Sequence, residues 1–183
     1  MTRVTLFFML ALFYASHSFA QTDEINKKID SLKYLGKDAY TCNSVYWRIV
    51  LLGKDAIPLL IARMDDTTQT QATYVCKKGN LKLGDICYKV LQEIMEIPTF
   101  YVTHIQFDVI DENRCQVGVY DYLDSNREKY KQQVSSYYET YKNSLKFVKY
   151  SYSPGDHPNA CKVKYKIYGY YKVDYKLLKD ANN

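Results

Sequence analysis

The chain has few of the residues that catalytic and metal sites commonly use, and it lacks their usual motifs. Its 183 residues include three histidines, five cysteines and one tryptophan. No two cysteines have a CxxC spacing and no GxSxG sequence occurs, so a redox pair, a zinc knuckle and a nucleophile elbow all lack local support. We therefore predict no catalytic residue, no metal site and no cofactor, and the protein is interpreted as a non-enzyme.

The remaining candidates for catalysis are isolated along the chain. His104 and His157 have no second histidine or cysteine at ligand spacing. Asp121, Asp124 and Glu128 could place carboxylates on one side of a helix, as a glycosidase requires. Acidic residues are also common near helix N-termini because the helix dipole favours them there. A hydrolase is therefore only the third of our functional hypotheses.

Long apolar runs are absent except at the N-terminus, where residues 4–14 form an uncharged run of 11 residues. A helix that spans a bilayer needs about 20 apolar residues, so this run is too short to be an anchor. Small residues follow at Ser18 and Ala20, in the pattern of a signal-peptide cleavage site. We predict a signal peptide over residues 1–20, cleaved near Ala20. The mature chain, residues 21–183, is then exported to the periplasm or the cell exterior, forms a single domain and has no transmembrane segment.

Positive charge and tyrosine are concentrated in the second half of the chain. Residues 127–179 contain 12 basic and 4 acidic side chains, whereas residues 21–126 contain 12 basic and 15 acidic ones. Thirteen of the 20 tyrosines lie between Tyr120 and Tyr175. Tyrosine and lysine together are typical of stacking platforms for sugars or single-stranded nucleic acid, and export argues against nucleic acid. The possible binding residues are Tyr168, Tyr170, Tyr171, Lys162, Lys164 and Lys166.

Residues 21–98 have the apolar periodicity of short amphipathic helices. A first helix is predicted from Thr22, with Ile25, Ile29, Leu32 and Leu35 on its buried face. Further helices are predicted over residues 43–52, 55–64 and 85–94, with the last one ending before Pro98. The polar stretch 67–84 is predicted to be a long loop.

Residues 99–183 combine one long helix with β signals. Alternation over residues 105–109 indicates a short strand, or alternatively a buried helical turn. An apolar stripe predicts a helix over residues 124–145, which places Tyr130, Tyr137 and Tyr141 in the core. Residues 161–168 alternate strictly, with Val163, Tyr165 and Ile167 opposite the three lysines. They are therefore predicted to form a strand with Tyr165 facing inward and a lysine face that discourages edge aggregation.

One segment resembles a known helical repeat. Residues 52–61 (LGKDAIPLLI), closing on Asp65-Asp66, resemble the second helix of a HEAT-like repeat, and residues 84–87 resemble the start of the next unit. The resemblance covers about residues 43–98 and implies helical hairpins and a tendency toward protein contacts. Because a solenoid needs at least about 3 repeats, this segment is a fragment within another architecture. The chain as a whole resembles uncharacterised secreted bacterial proteins.

All five cysteines follow residue 20, and export makes disulfides possible. If the helical hairpins stack, Cys42 and Cys76 would meet at one end of them. A second bridge between Cys115 and Cys161 would tie the terminal strand to the middle of the chain. This pairing leaves Cys87 buried and free on an apolar helix face.

The expected fold is mainly α, with α+β as the alternative. Residues 21–98 would form HEAT-like antiparallel helical hairpins, and residues 99–183 the long helix and a small Tyr/Lys-rich β element. The leading functional hypothesis is an exported, non-catalytic protein-interaction module. The alternative is a carbohydrate- or surface-binding protein that uses the basic C-terminal half. The partner is therefore an unidentified protein or an envelope polymer.

Overall fold

The computed structural model describes residues 21–37, 42–107, 110, 118–151 and 159–180. These residues form a mainly helical fold with two small two-stranded antiparallel sheets. In chain order the elements are α1 (residues 21–31), α2 (Ser44–Val50), α3 (Ile57–Ala62), β1 (Gln69–Tyr74), β2 (Lys77–Lys82), α4 (Leu83–Ile94), α5 (Thr99–Thr103), α6 (Val119–Ser125), α7 (Arg127–Tyr141), β3 (Lys146–Lys149), α8 (Ala160–Lys164), β4 (Gly169–Lys172) and α9 (Tyr175–Asp180). In the described part of the chain, no helix has the length and apolar character that membrane crossing requires.

Helix α4 is the centre of the packing. Nine of its 12 residues are buried, and it contacts α2, α3, β2 and β4. A helix that is covered on most sides belongs to the core rather than to a surface layer. Cys87 lies on this helix, fully buried and free, as predicted.

The helices predicted before residue 65 are confirmed. Ile25, Ile29, Leu32 and Leu35 are all buried against the core. Asn43 begins α2 because its Oδ1 accepts hydrogen bonds from the backbone N–H groups that start the helix. The amphipathic spacing and the capping residue therefore agree in this half of the chain.

The predicted loop over residues 67–84 is wrong, because it contains the antiparallel hairpin β1–β2. Thr70, Ala72 and Leu81 point inward and are buried. The Thr70 hydroxyl donates to the carbonyl of Leu81 at 2.6 Å and accepts from the N–H of Ala72 at 3.1 Å, so its burial leaves no unpaired hydroxyl. A strand whose inward side chains are a threonine and an alanine has little hydrophobic signal in the sequence, which explains the error.

The helix predicted over residues 124–145 is divided at Asn126 into α6 and α7. Asn126 leaves helical backbone geometry at φ −136° and ψ 33°. The predicted stripe is nevertheless correct: Tyr130, Val134 and Tyr137 are buried, and Tyr141 is partly buried against the core. These tyrosines are core residues, and burial raises the pKa of Tyr137 above its ordinary value.

A cluster of buried charges joins the β1–β2 hairpin to α4 and α7. The Asp85 carboxylate is fully buried and accepts from Lys77 Nζ at 2.8 Å and from Arg127 Nη2 at 2.7 Å. Asp124 is half-exposed and pairs with Lys77, Lys82 and Arg127. Burial opposes its ionisation, but hydrogen bonds from these three cations outweigh it and hold the pKa of Asp124 well below its usual range.

The strand predicted over residues 161–168 is also wrong, because the segment begins with helix α8. Asn159 caps this helix, and its Oδ1 accepts from the N–H of Cys161 at 2.9 Å and of Lys162 at 3.3 Å. Val163 is 59% exposed instead of facing inward, whereas Ile167 is buried. The three lysines therefore do not form one strand face.

Residues 105–107 form neither the predicted strand nor the alternative buried helical turn, because α5 ends at Thr103 and Ile105 is exposed. Residues 108 and 109, which complete the predicted strand, lie outside the described residues. His104 ends α5 in the left-handed conformation, and its N–H donates to the carbonyl of Phe100 at 2.7 Å. The second half of the chain therefore differs most from the sequence-based expectation.

The structure pairs Cys42 with Cys161, so both predicted bridges, Cys42–Cys76 and Cys115–Cys161, are wrong. Cys161 lies in the first turn of α8, which packs beside the start of α2. The Tyr165 ring stacks on Trp47 at 6.4 Å, and its hydroxyl donates to the carbonyl of Cys42 at 3.2 Å. Cys76 is disulfide-bonded at the turn of the β1–β2 hairpin, and Cys115 lies outside the described residues.

We expect removal of the bridge by C42S together with C161S to lower the free energy of unfolding by about 3–5 kcal/mol, because it closes a long loop. Urea unfolding monitored by Trp47 fluorescence measures the loss. Non-reducing peptide mapping should recover a Cys42–Cys161 cross-link, and a Cys42–Cys76 cross-link would contradict the structure. Cys87 should resist alkylation until the protein unfolds, because burial hides the thiol and raises its pKa.

We expect Gly84→Ala to destabilise the protein by about 1–3 kcal/mol, as overpacking of a core does. A Cβ at Gly84 would overlap the carbonyl of Met64, where α4 starts against the end of α3. Gly36→Ala is the matched control, because a Cβ there meets no atom within 4 Å. Urea unfolding compares the two variants, and equal stability would place the start of α4 elsewhere.

Candidate functional site

A large, mainly apolar concavity lies between β3 and α8 in the described part of the protein, and we call it the β3–α8 groove. Its volume is about 710 Å³. It is lined by Phe147, Lys149, Tyr150, Lys162, Val163, Lys166, Ile167 and Tyr168. Phe147, Val163 and Tyr168 are each about half exposed or more, so the groove presents apolar side chains to solvent within a lysine rim.

The structure brings together half of the binding residues predicted from the sequence. Lys162, Lys166 and Tyr168 line the β3–α8 groove. Tyr171 lies in an adjoining cleft of about 150 Å³ that shares Lys166 and Tyr168 with the groove. Lys164 and Tyr170 do not line either concavity; Tyr170 is partly buried with its ring 5.5 Å from that of Tyr150.

Lys162 is held by contacts within the protein. Its Nζ pairs with the Glu93 carboxylate at 2.8 Å and donates to the Tyr150 hydroxyl at 3.0 Å. The same nitrogen lies 4.3 Å from the centre of the Tyr150 ring, a cation–π contact. Burial alone would lower the pKa of Lys162, but Glu93 and Tyr150 outweigh it and raise this pKa above its ordinary value.

Lys149 and Lys166 carry the charge that remains available to a ligand. Both are exposed, and no side chain in the described part of the protein forms an ion pair with either. Lys166 has a φ of 56° and ends α8, since the N–H of Ile167 donates back to the carbonyl of Lys162 at 2.8 Å. This is the Schellman end of a helix, a place usually occupied by glycine, so the position displays a lysine at some conformational cost.

Phe147 and Gly169 shape the floor between the groove and the adjoining cleft. A Cβ at Gly169 would overlap the backbone of Val148 and meet the Phe147 ring at 2.8 Å. The Phe147 ring also lies edge-on to Tyr171, with the ring centres 5.3 Å apart. The aromatic ring therefore covers the glycine of the neighbouring strand, and Phe147 remains 49% exposed.

Of the residues considered for catalysis, Asp124 and His104 lie at separate places in the described structure, and Glu128 of α7 lies within hydrogen-bond reach of Asp65. Asp124 is held by the cation cluster around Asp85. His104 caps α5 and borders a cleft between α5 and α7 with neutral and basic neighbours. His157 lies outside the described residues. Among the described residues, no group of three or more His, Cys, Asp or Glu side chains could hold a metal ion.

Sequence reasoning missed five residues of the groove: Phe147, Lys149, Tyr150, Val163 and Ile167. The stretch Lys146–Lys149 reads KFVK, which does not alternate, and four residues give little periodic signal. Asn159 was the sequence signal for α8, because asparagine is a preferred N-cap residue. Recognising that cap would have placed Val163 on an exposed helical surface.

We expect Lys162 to acylate more slowly than Lys149 and Lys166 when the native protein is treated with a limiting amine-reactive reagent at pH 8–9. Lys162 is partly buried, and its raised pKa keeps the amine protonated. Peptide mass spectrometry of a labelling time course measures the three rates. Equal rates for the three lysines would contradict the Glu93–Lys162–Tyr150 arrangement, and Glu93→Gln should accelerate the labelling of Lys162 alone.

The chain was compared with protein families, curated proteins and solved structures. No protein-family model, no curated protein and no solved structure matches the chain. The functional argument therefore depends on the β3–α8 groove and on the chemistry of the side chains that line it.

Proposed function

We propose that the protein is an exported, non-catalytic interaction module and that it binds a partner protein through the β3–α8 groove. The observation that carries this proposal is the combination of exposed Phe147, Val163 and Tyr168 in one concavity. Exposed aromatic and aliphatic side chains in a groove are the usual anchors of protein interfaces. The proposal includes a signal peptide over residues 1–20. An intramolecular disulfide, which is typical of exported proteins, supports export.

A protein partner is favoured over a sugar polymer by the composition of the groove. Tyr168 is the prominent exposed tyrosine there, whereas Tyr150 and Tyr170 are partly buried against each other. Besides its aromatic rings, the lining contains the aliphatic side chains of Val163 and Ile167 and three lysines, but no carboxylate and no amide side chain among the described residues. Aliphatic contacts suit an apolar side chain of a protein better than the hydroxyl groups of a carbohydrate.

A non-catalytic role agrees with the state of the carboxylates that a hydrolase would need. Asp85 and Asp124 each accept from at least two cationic side chains. Cations at this distance keep a carboxylate ionised and occupy its lone pairs. The cations around Asp124 hold its pKa well below the usual range, so this carboxyl is not poised to give a proton to a substrate.

The proposal also includes a HEAT-like relationship for residues 43–98. Support comes from the packing of α2 and α3 on α4 and from the close approach of Gly84 to the end of α3. The β1–β2 hairpin interrupts this unit between α3 and α4. A single unit of this kind is a scaffold for the C-terminal groove in our proposal.

We expect affinity capture from the native cell envelope to yield a protein that depends on the groove. With Tyr168→Ala as bait, affinity for that protein should fall by about 2 kcal/mol or more, which is roughly thirtyfold, as for a central aromatic anchor. The Tyr168 ring is 64% exposed, so the substitution should leave the fold intact.

Tyr34→Ala is the matched control, because Tyr34 is 78% exposed on a different part of the surface. Capture by this variant should equal that of the unmodified protein. Loss of the partner with both variants, or with neither, would remove the groove from the proposed function. Capture of a salt-sensitive polymer without any protein would favour the surface-binding alternative.

A further inference from the structure

Strand β3 has one edge paired with β4, and no other strand among the described residues pairs with its second edge. The register places Phe147 opposite Tyr171 and Lys149 opposite Gly169. The N–H of Tyr150 donates to the carbonyl of Tyr168 at 2.8 Å, so these two residues form a hydrogen-bonded pair of the two strands. Residues of an antiparallel pair alternate between bonding across the pair and bonding outward. The backbone N–H and C=O groups of Phe147 and Lys149 therefore point away from β4.

These outward groups have no protein partner in the part of the chain that the structure describes. The preceding outward group, the carbonyl of Leu145, accepts from Lys54 Nζ at 3.2 Å, so the open stretch starts at Phe147. The far edge of β4 is covered instead, because the N–H of Glu96 donates to the carbonyl of Tyr171 at 2.8 Å. Strand β3 is thus the free edge of this small sheet, with four backbone groups available.

The charges around this edge select what can pair with it. Lys146 and Lys149 are exposed on β3 itself; Lys146 pairs with Asp174 at 3.5 Å, whereas Lys149 lines the groove together with Lys166. Lysines on an edge strand discourage pairing with a second copy of the same strand. The same lysines attract a strand that carries carboxylates, because opposite charges across a pair of strands are stabilising.

We propose that β3 receives an extended acidic segment of a partner protein as an added strand. The outward N–H and C=O groups of Phe147 and Lys149 bind its backbone. Its carboxylates lie near Lys149 and Lys166, and one of its apolar side chains enters the β3–α8 groove. Main-chain pairing with side-chain pockets beside the edge is a recurring mode of peptide recognition. The inference rests on the proposed function and specifies the chemistry of the partner.

The test uses the purified protein and a pool of short acetylated peptides of the form Glu-X-Glu-X-Glu, where X is Val, Ile, Leu, Phe or Tyr. We expect binding in titration calorimetry, with slowed hydrogen exchange at the amides of Phe147 and Lys149. A lysine-for-glutamate pool is the charge control and should not bind. A pool N-methylated at alternate residues keeps the charge but loses donors, and its affinity should fall roughly tenfold, because each lost hydrogen bond costs about 0.5–1.5 kcal/mol.

A matched pair of protein variants tests the edge from the other side. Phe147→Ala removes the ring but keeps the outward N–H, whereas Phe147→Pro removes both. The proline leaves the bonded partners at Lys146 and Val148 intact, since the Phe147 N–H does not pair with β4. We expect roughly tenfold weaker peptide binding for Phe147→Pro than for Phe147→Ala. Near-UV circular dichroism checks that both variants are folded.

Each other outcome overturns strand addition. Equal affinity of the N-methylated and unmodified peptide pools would show that charge alone attracts the peptides. This comparison uses the unmodified protein, so it does not depend on whether the proline variant folds. No binding of the acidic pool would exclude an acidic strand, as would equal protection of the two amides by anionic lipid vesicles. None of these three outcomes affects the capture experiment with Tyr168→Ala, which tests the proposed function on its own. Failure of strand addition and failure of the proposed function are therefore distinguishable.

Discussion

The burial of one carboxylate, that of Asp85, constrains much of this structure. An ionised carboxylate removed from water costs several kcal/mol unless cations and hydrogen bonds replace its hydration. Asp85 obtains them from Lys77 of β2 and Arg127 of α7, and from the N–H of Lys82. These partners come from two separate elements, the hairpin strand β2 and helix α7, so satisfying one buried charge fixes the hairpin and α7 relative to α4. Apolar burial along α4 then supplies the attraction that holds the layers together.

The opposite end of α4 positions the candidate binding site. Glu93 on its last turn pairs with Lys162 of α8, and the chain just beyond it bonds the covered edge of β4. The Cys42–Cys161 bridge attaches α8 to the start of α2. The basic C-terminal segment is therefore tied to the helical core by a salt bridge, a strand contact and a covalent bond. Among the described residues, this arrangement leaves the outer edge of β3 without a strand partner.

The lysines of the chain divide into two groups with different consequences. Lys77 and Lys162 neutralise partly or fully buried carboxylates and are components of the fold. Lys149 and Lys166 have no such partner in the described residues and surround apolar side chains that are exposed. Net charge alone does not separate these groups, because every lysine contributes equally to it. The functional proposals depend only on the second group, which is available to a ligand.

The sequence by itself determined the features that arise from local periodicity. The stripe through Ile25 and Ile29, the cap at Asn43 and the core positions of Tyr130 and Tyr137 all follow from the 3.6-residue repeat of a helix and from capping chemistry. The burial and free state of Cys87 followed in the same way, from its place on an apolar helix face. The concentration of basic residues and tyrosines pointed to the C-terminal half, where the structure exposes Phe147, Val163 and Tyr168 around one groove; that this groove binds a ligand stays a prediction.

Only the tertiary structure decided the conformation of residues whose local pattern was ambiguous or misleading. The alternation from Cys161 to Ile167 is typical of a strand, yet the Asn159 cap, the Cys42–Cys161 bridge and the stacking of Tyr165 on Trp47 stabilise a helix there. The β1–β2 hairpin is stabilised by burial of Thr70 and Ala72, whose small side chains give almost no periodic signal. Cysteine pairing and the groove depend on contacts between residues more than a hundred positions apart or on separate elements. Such contacts leave no spacing rule in the sequence, because they are set by which surfaces pack together.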